Sequence, residues 1–171
     1  MDSELMSTAS LQIPSPLGIL TLCASEDGLF RVDFEERSPA VSVSVSDRAE
    51  WILTQASREL AEYFAGKRRE FSVPLHPGGT PFQQKVWAAL CRIPYGETRT
   101  YGEIARQIGA PKAARAVGMA NHRNPLPLFI PCHRVVGASG ELTGYAGGLD
   151  RKRFLLALER QPLRGVSCPF F

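Results

Sequence analysis

A chain of 171 residues, 44% apolar and 22% charged, can bury a core as one domain or two small ones. No apolar run approaches the length of a membrane span. Met1 to Ser10 lacks the basic start and apolar stretch of a signal peptide, so a cytoplasmic protein is expected, with no membrane partner. The net charge of +3 conceals an asymmetry: residues 1–80 carry 7 Lys+Arg against 12 Asp+Glu (−5), and residues 81–171 carry 13 against 5 (+8). A basic C-terminal half suits a polyanion, although a solvated basic face is the commoner meaning of such a balance. Cys23, Cys91, Cys132 and Cys168 are too widely spaced for a disulfide scaffold or a zinc pattern, and read as reduced thiols.

Leu11 to Phe34 reads as β structure. Leu20, Leu22 and Ala24 alternate with Thr21, Cys23 and Ser25, and Asp27-Gly28 makes a hairpin turn before Leu29–Phe34. Val41 to Ser46 alternates Val and Ser, as an edge strand or a loop. Asp47 with Glu50 predicts a capped helix whose core stripe is Trp51, Ile52, Ala56, Leu60, Tyr63 and Phe64, ended by Gly66. Phe71 to Leu75 reads as a further strand, and Pro77-Gly78-Gly79 as a hinge between subdomains.

Thr80-Pro81-Phe82-Gln83 is a helix start: Thr80 as N-cap, Pro81 in the first position, Gln83 closing the box. Phe82, Val86, Ala89 and Leu90 form its buried face, with Trp87 beside them. Thr100-Tyr101-Gly102-Glu103 repeats the capping pattern, and a second helix follows from Pro111 and Lys112 to about His122, giving a helix-turn-helix. Its second helix carries Ala113, Ala114, Ala116, Gly118 and Ala120, with Arg115 the long side chain in its middle. Such a face packs closely on another helix or enters a narrow groove. After Gly144, Asp150 is expected to cap a last helix through Glu159, with Phe154, Leu155 and Leu158 inward and Pro162 ending it.

Asn124-Pro-Leu-Pro-Leu-Phe-Ile-Pro-Cys-His-Arg-Val-Val-Gly137 carries the chemistry. Pro125, Pro127 and Pro131 forbid a helix and make a rigid approach to Cys132, whose neighbours His133 and Arg134 favour a thiolate. A buried, inert cysteine is the bland alternative; the Cys-His pair on a preorganised backbone outweighs it.

Pro131-Cys132-His133-Arg134-Val135 resembles the active-site signature of the O6-alkylguanine-DNA alkyltransferases. The likeness runs from about Thr80 to Glu159, with Asn124-Pro125 before it and Gly144-Tyr145-Ala146-Gly147-Gly148 after it. The N-terminal third resembles the family loosely, through Ser15-Pro16-Leu17-Gly18. The resemblance implies an α+β protein. Residues 1–78 would be a ribonuclease-H-like α/β support domain. Residues 79–171 would be a mainly helical DNA-binding and alkyl-transfer domain with a winged helix-turn-helix-like motif.

It further implies that Cys132 takes the alkyl group irreversibly from O6 of guanine, or from O4-alkylthymine. A Glu159–His133–Cys132 relay, through a water between ring and sulfur, would support it. Asn124 would tie the active-site turn, and Tyr101 would donate to the leaving base. Lys152 matches a family lysine that assists, although by itself it reads as a helix-surface lysine. Val135, Tyr145, Ala146 and Gly147 would shape the pocket. The family often has serine where this chain has Ala146, so only the main-chain contact carries over there. Ala114, Arg115, Ala116 and Gly118 would meet double-stranded DNA in the minor groove, with Arg115 filling the gap left by an everted base. No metal or organic cofactor is expected, and the protein should act once per molecule as a monomer, cooperativity on DNA being left open. A non-reactive lesion sensor, a cysteine hydrolase and a plain helix-turn-helix regulator are the competing readings.

Overall fold

The computed structural model describes residues 7–35 and 45–161, and the chain divides into two compact units, Met1–Gly78 and Gly79–Phe171. Residues 41–44 of the Val/Ser segment, Pro162 and Cys168 lie outside the described residues.

In the first unit, β1 (Ala9–Ile13), β2 (Leu20–Ser25) and β3 (Gly28–Asp33) form an antiparallel meander, with Leu11 opposite Leu22 and Leu22 opposite Val32. Leu20, Leu22 and Ala24 are fully buried, as a period of two requires for one covered face. That face is covered by α1 (Asp47–Phe64), which buries Ala49, Ile52, Leu53, Ala56, Leu60 and Tyr63. Glycine is required at Gly28, where φ is +149° and a Cβ would lie 2.9 Å from the Pro74 carbonyl oxygen.

Three local expectations are corrected here. The N-cap of α1 is Ser46, whose hydroxyl accepts from Ala49 N, one residue before the Asp47 start read from the sequence. Trp51 is 53% exposed with the Arg48 guanidinium 5.9 Å above its ring, so it is no core residue; the helical stripe is narrower than its apolar content suggests. Phe71 to Leu75 makes no strand. Only Leu75 bridges to Leu29, and the segment is held instead by the buried Glu59 carboxylate. Glu59 accepts from Ser72 N at 2.7 Å, Ser72 Oγ at 2.6 Å and Val73 N at 3.2 Å.

The second unit contains α2 (Pro81–Cys91), β4 (Arg99–Thr100), α3 (Tyr101–Gln107), α4 (Ala114–His122), a 3-10 turn (Cys132–Arg134), β5 (Val135–Val136) and α5 (Leu149–Glu159). The Thr80/Gln83 and Thr100/Glu103 capping boxes both form. Helix α4 starts at Ala114, behind Ala113 and without a side-chain cap, two residues later than Lys112. Trp87 of α2 donates its indole N–H to Ala120 O of α4 at 2.9 Å, fixing one helix on the other. Helix α5 begins after Gly148, not by an Asp150 cap, and Asp150 is exposed. Its inner face is Lys152, Leu155, Leu156 and Glu159, while Phe154 is 40% exposed and Leu158 half-buried. The apolar residues of α5 misled because a lysine and a glutamate take two of its buried positions.

Glu59→Ala leaves the buried Val73 N–H and the part-buried Ser72 N–H without their acceptor and should cost about 2 kcal/mol. The check is a lowered urea midpoint for the first unit; a midpoint unchanged from wild type contradicts it.

Candidate active site

Residues Leu126 to Gly137 are buried at every position yet contain only a 3-10 turn and the short β5. Buried carbonyls need donors, and here side chains supply them. Asn124 Nδ2 donates to Ile130 O at 2.8 Å, while its Oδ1 accepts from Leu126 N at 2.9 Å. Asn121 Nδ2 reaches Cys132 O at 3.4 Å. Lys152 Nζ donates to Val135 O at 2.6 Å and to Thr143 O at 2.7 Å. Strands β5 and β4 pair in parallel, Val135 beside Arg99 and Val136 beside Thr100.

His133 is fully buried, with Nε2 2.7 Å from Glu159 Oε2. The same carboxylate accepts from Arg134 Nε at 2.6 Å on Oε1, and Arg134 Nη1 donates to Ile93 O at 2.8 Å. Burial pushes Glu159 upward, but the hydrogen bonds and charges of His133 and Arg134 outweigh it and hold the carboxyl below its ordinary range. Burial lowers His133 below its usual value against the pull of Glu159, leaving a neutral ring. An ionised carboxylate only accepts, so the ring proton sits on Nε2 and Nδ1 is a bare acceptor. Nδ1 is buried and has no hydrogen-bond partner among the described residues.

Cys132 is 2% exposed, and burial pushes its thiol up to about 11. The Asn124 amide, the Lys152 ammonium and the backbone N–H groups of Cys132 and His133 pull the other way without prevailing. The resting group is therefore a thiol, not the thiolate that its sequence neighbours suggest. Arg134, counted from sequence as a second cation for the sulfur, is engaged by Glu159.

The structure thus joins Cys132, His133, Glu159, Asn124, Lys152 and Val135 in one bonded set. Lys152 is fully buried, against its surface reading. Tyr101 opens α3, and its hydroxyl accepts from Thr143 Oγ1 at 3.1 Å, next to the Thr143 carbonyl held by Lys152. Tyr145 and Gly147 are buried, Ala146 is exposed, and Gly147 O accepts from Arg151 at 2.9 Å.

Arg115 and Ala116 are exposed on α4 and Ala114 half-exposed, outside this set. Gly118 faces inward, where a Cβ would lie 3.7 Å from the Tyr101 ring, and Ala120 is buried. Arg115 is not the only long projecting side chain, since Met119, four residues on, is 54% exposed. Asn121 and the Arg134–Glu159 pair escaped the sequence reading. Asn121 lies in the last turn of α4 and Asn124 just past its end, so no helical spacing tied the two in the sequence.

Among the described residues no helix is long and apolar enough to cross a membrane, and no group of three His, Cys, Asp or Glu is placed to hold a metal.

The profile of the 6-O-methylguanine DNA methyltransferase DNA-binding domain matches residues 81–161, and that of the ribonuclease-like domain of the same proteins matches residues 11–77. The chain belongs to the O6-methylguanine-DNA methyltransferase family. It is 56% identical over 146 residues to a methylated-DNA–protein-cysteine methyltransferase of Methanosarcina acetivorans, covering 85% of this chain and 94% of that one. A constitutive methylated-DNA–protein-cysteine methyltransferase of Bacillus subtilis is 51% identical, with 85% and 92% covered. A Mycobacterium tuberculosis OGT solved in complex with DNA is 52% identical, with 87% and 91% covered and a TM-score of 0.78. Over this methyltransferase fold the two-part α+β architecture follows the family.

The raised thiol sets a pH dependence. Burying the neutral thiol contributes stability that is complete below its ordinary 9.0 and is lost as pH rises through about 11. Thiolate absorbance of the DNA-free protein, taken as the difference between wild type and Cys132→Ala, should titrate near 11. A midpoint below neutrality would show a resting thiolate instead.

Proposed function

We propose that this methyltransferase repairs DNA by direct reversal, moving the alkyl group from O6 of guanine in DNA to Cys132 Sγ. The observation that carries the reading is a buried cysteine whose neighbour, His133, is kept neutral by burial and oriented by Glu159, with a bare Nδ1. Because the thiol rests protonated, its proton leaves toward His133 Nδ1, through a bridging water, as the sulfur attacks. The S–C bond forms as the C–O6 bond breaks, and charge develops on the departing guanine. Tyr101 OH accepts from Thr143, which leaves its own hydrogen to donate to that base. Glu159 steadies the imidazolium so formed, and Lys152 lies close enough to favour the thiolate as it appears.

The alkyl carbon is unreachable in a stacked duplex, so the nucleotide is everted at a cost of a few kcal/mol. In this reading α4 enters the minor groove, and Arg115 projects from its exposed face to occupy the vacated space. Val135, Tyr145 and the main chain at Ala146 and Gly147 receive the base. The product is a thioether with no easy leaving group, so each molecule reacts once.

Intact mass after mixing with an O6-methylguanine duplex should show one added methyl group, located on the Cys132 peptide. An unmodified protein that still binds the duplex would make it a lesion sensor. Arg115→Ala should slow reaction with the duplex about tenfold, or about 1.4 kcal/mol, and leave reaction with free O6-benzylguanine near wild type. Equal losses on both substrates would remove Arg115 from eversion.

A further inference from the structure

We infer that Arg134 is a positioning residue that keeps His133 neutral by occupying the Glu159 carboxylate from its other side. The inference rests on the alkyl-transfer reading, because only a neutral ring can receive the Cys132 proton.

Arg134 is buried and its guanidinium is fully committed. Nε lies 2.6 Å from Glu159 Oε1 and 3.2 Å from Oε2, Nη2 lies 2.5 Å from Oε1, and Nη1 lies 2.8 Å from Ile93 O. The Tyr95 ring lies beneath it, its centroid 5.7 Å from Cζ. His133 meets the carboxylate through Oε2 alone. A buried carboxylate facing one imidazole and nothing else would draw a proton onto that ring, since an unpaired buried anion is costly. With Arg134 in place the anion is already neutralised. A proton on His133 would then create a second buried positive charge, with Lys152 of α5 a third nearby. Cys132, the next residue, is uncharged at rest, and Cys91 at the end of α2 lies within electrostatic reach of Arg134. A purely structural role, bolting the 3-10 turn to Ile93, predicts no change in the titration of His133.

The test is NMR titration of His133 in the full chain, paired with the pH dependence of reaction with O6-benzylguanine. In Arg134→Met both midpoints should rise by about one pH unit or more, slowing reaction about tenfold at acidic pH. Arg134→Lys keeps the cation and should hold the wild-type midpoint, and Arg134→Met combined with Glu159→Gln should bring it back down. A folded Arg134→Met protein with an unmoved His133 midpoint overturns the inference. So does a wild-type His133 that is protonated near neutrality, which needs no variant to fold. The titration uses no alkyl donor, so a failure of the transfer reading shows as absent reaction while the midpoints remain readable.

Discussion

A buried stretch of irregular backbone is the constraint around which the second unit is arranged. Leu126 to Gly137 runs through the interior without a helix or a long strand to pair its polar groups. Prolines at 127 and 131 reduce the number of donors that must be satisfied, and the carbonyls of Ile130, Cys132 and Val135 are met by Asn124, Asn121 and Lys152. Two of those donors come from α4 or just beyond it and one from α5. The helices therefore do more than cover the strap: their polar side chains define its path. Leu128, in the left-handed region at φ +78°, is the one non-glycine of that kind among the described residues. Surrounding packing must hold it there, which fits a segment fixed from outside.

Burial decides protonation in this site, and it decides it against first intuition. A cysteine beside histidine and arginine in sequence looks set to ionise. Packed in the strap, the sulfur loses more hydration than nearby charges return, and it stays protonated. The same desolvation leaves the imidazole uncharged, and the lone anion of the group is compensated by arginine. Its resting state thus pairs each charge where a partner exists and avoids charge elsewhere. Charge separation is deferred to the moment when a substrate can stabilise it.

Much of this was readable from the chain. Two capping boxes and the prolines are local devices whose geometry depends on a few adjacent residues, and they appear where the sequence puts them. The hairpin turn instead falls on Glu26-Asp27, one residue before the Asp27-Gly28 read from the sequence, with Gly28 already in β3 and paired to Ser25. What failed to read was whatever depends on tertiary placement. Trp51 and Phe154 obey helical spacing but lie at the edge of the stripe, and periodicity alone does not say how wide the stripe is. Phe71 to Leu75 has strand composition, but Glu59 takes the N–H groups of Ser72 and Val73 that a neighbouring strand would use. Lys152 and Glu159 look like surface residues because charge is usually exposed. Their burial follows from unpaired carbonyls and from an imidazole that only the fold brings near.

The pairing of β4 with β5 involves two residues on each side, and Thr100 both ends β4 and caps the helix that Tyr101 begins. Tyr101 is therefore set against the 132–136 segment by counting residues, with no slack on either side. A single insertion or deletion between Arg99 and Tyr101, or between Cys132 and Val136, would turn alternate side chains to the opposite face. The exposed turn Ala138–Gly140, closed by Gly137 N–H to Glu141 O at 2.9 Å, has no such bookkeeping, and a change in chain length there would leave the facing of both strands as it is.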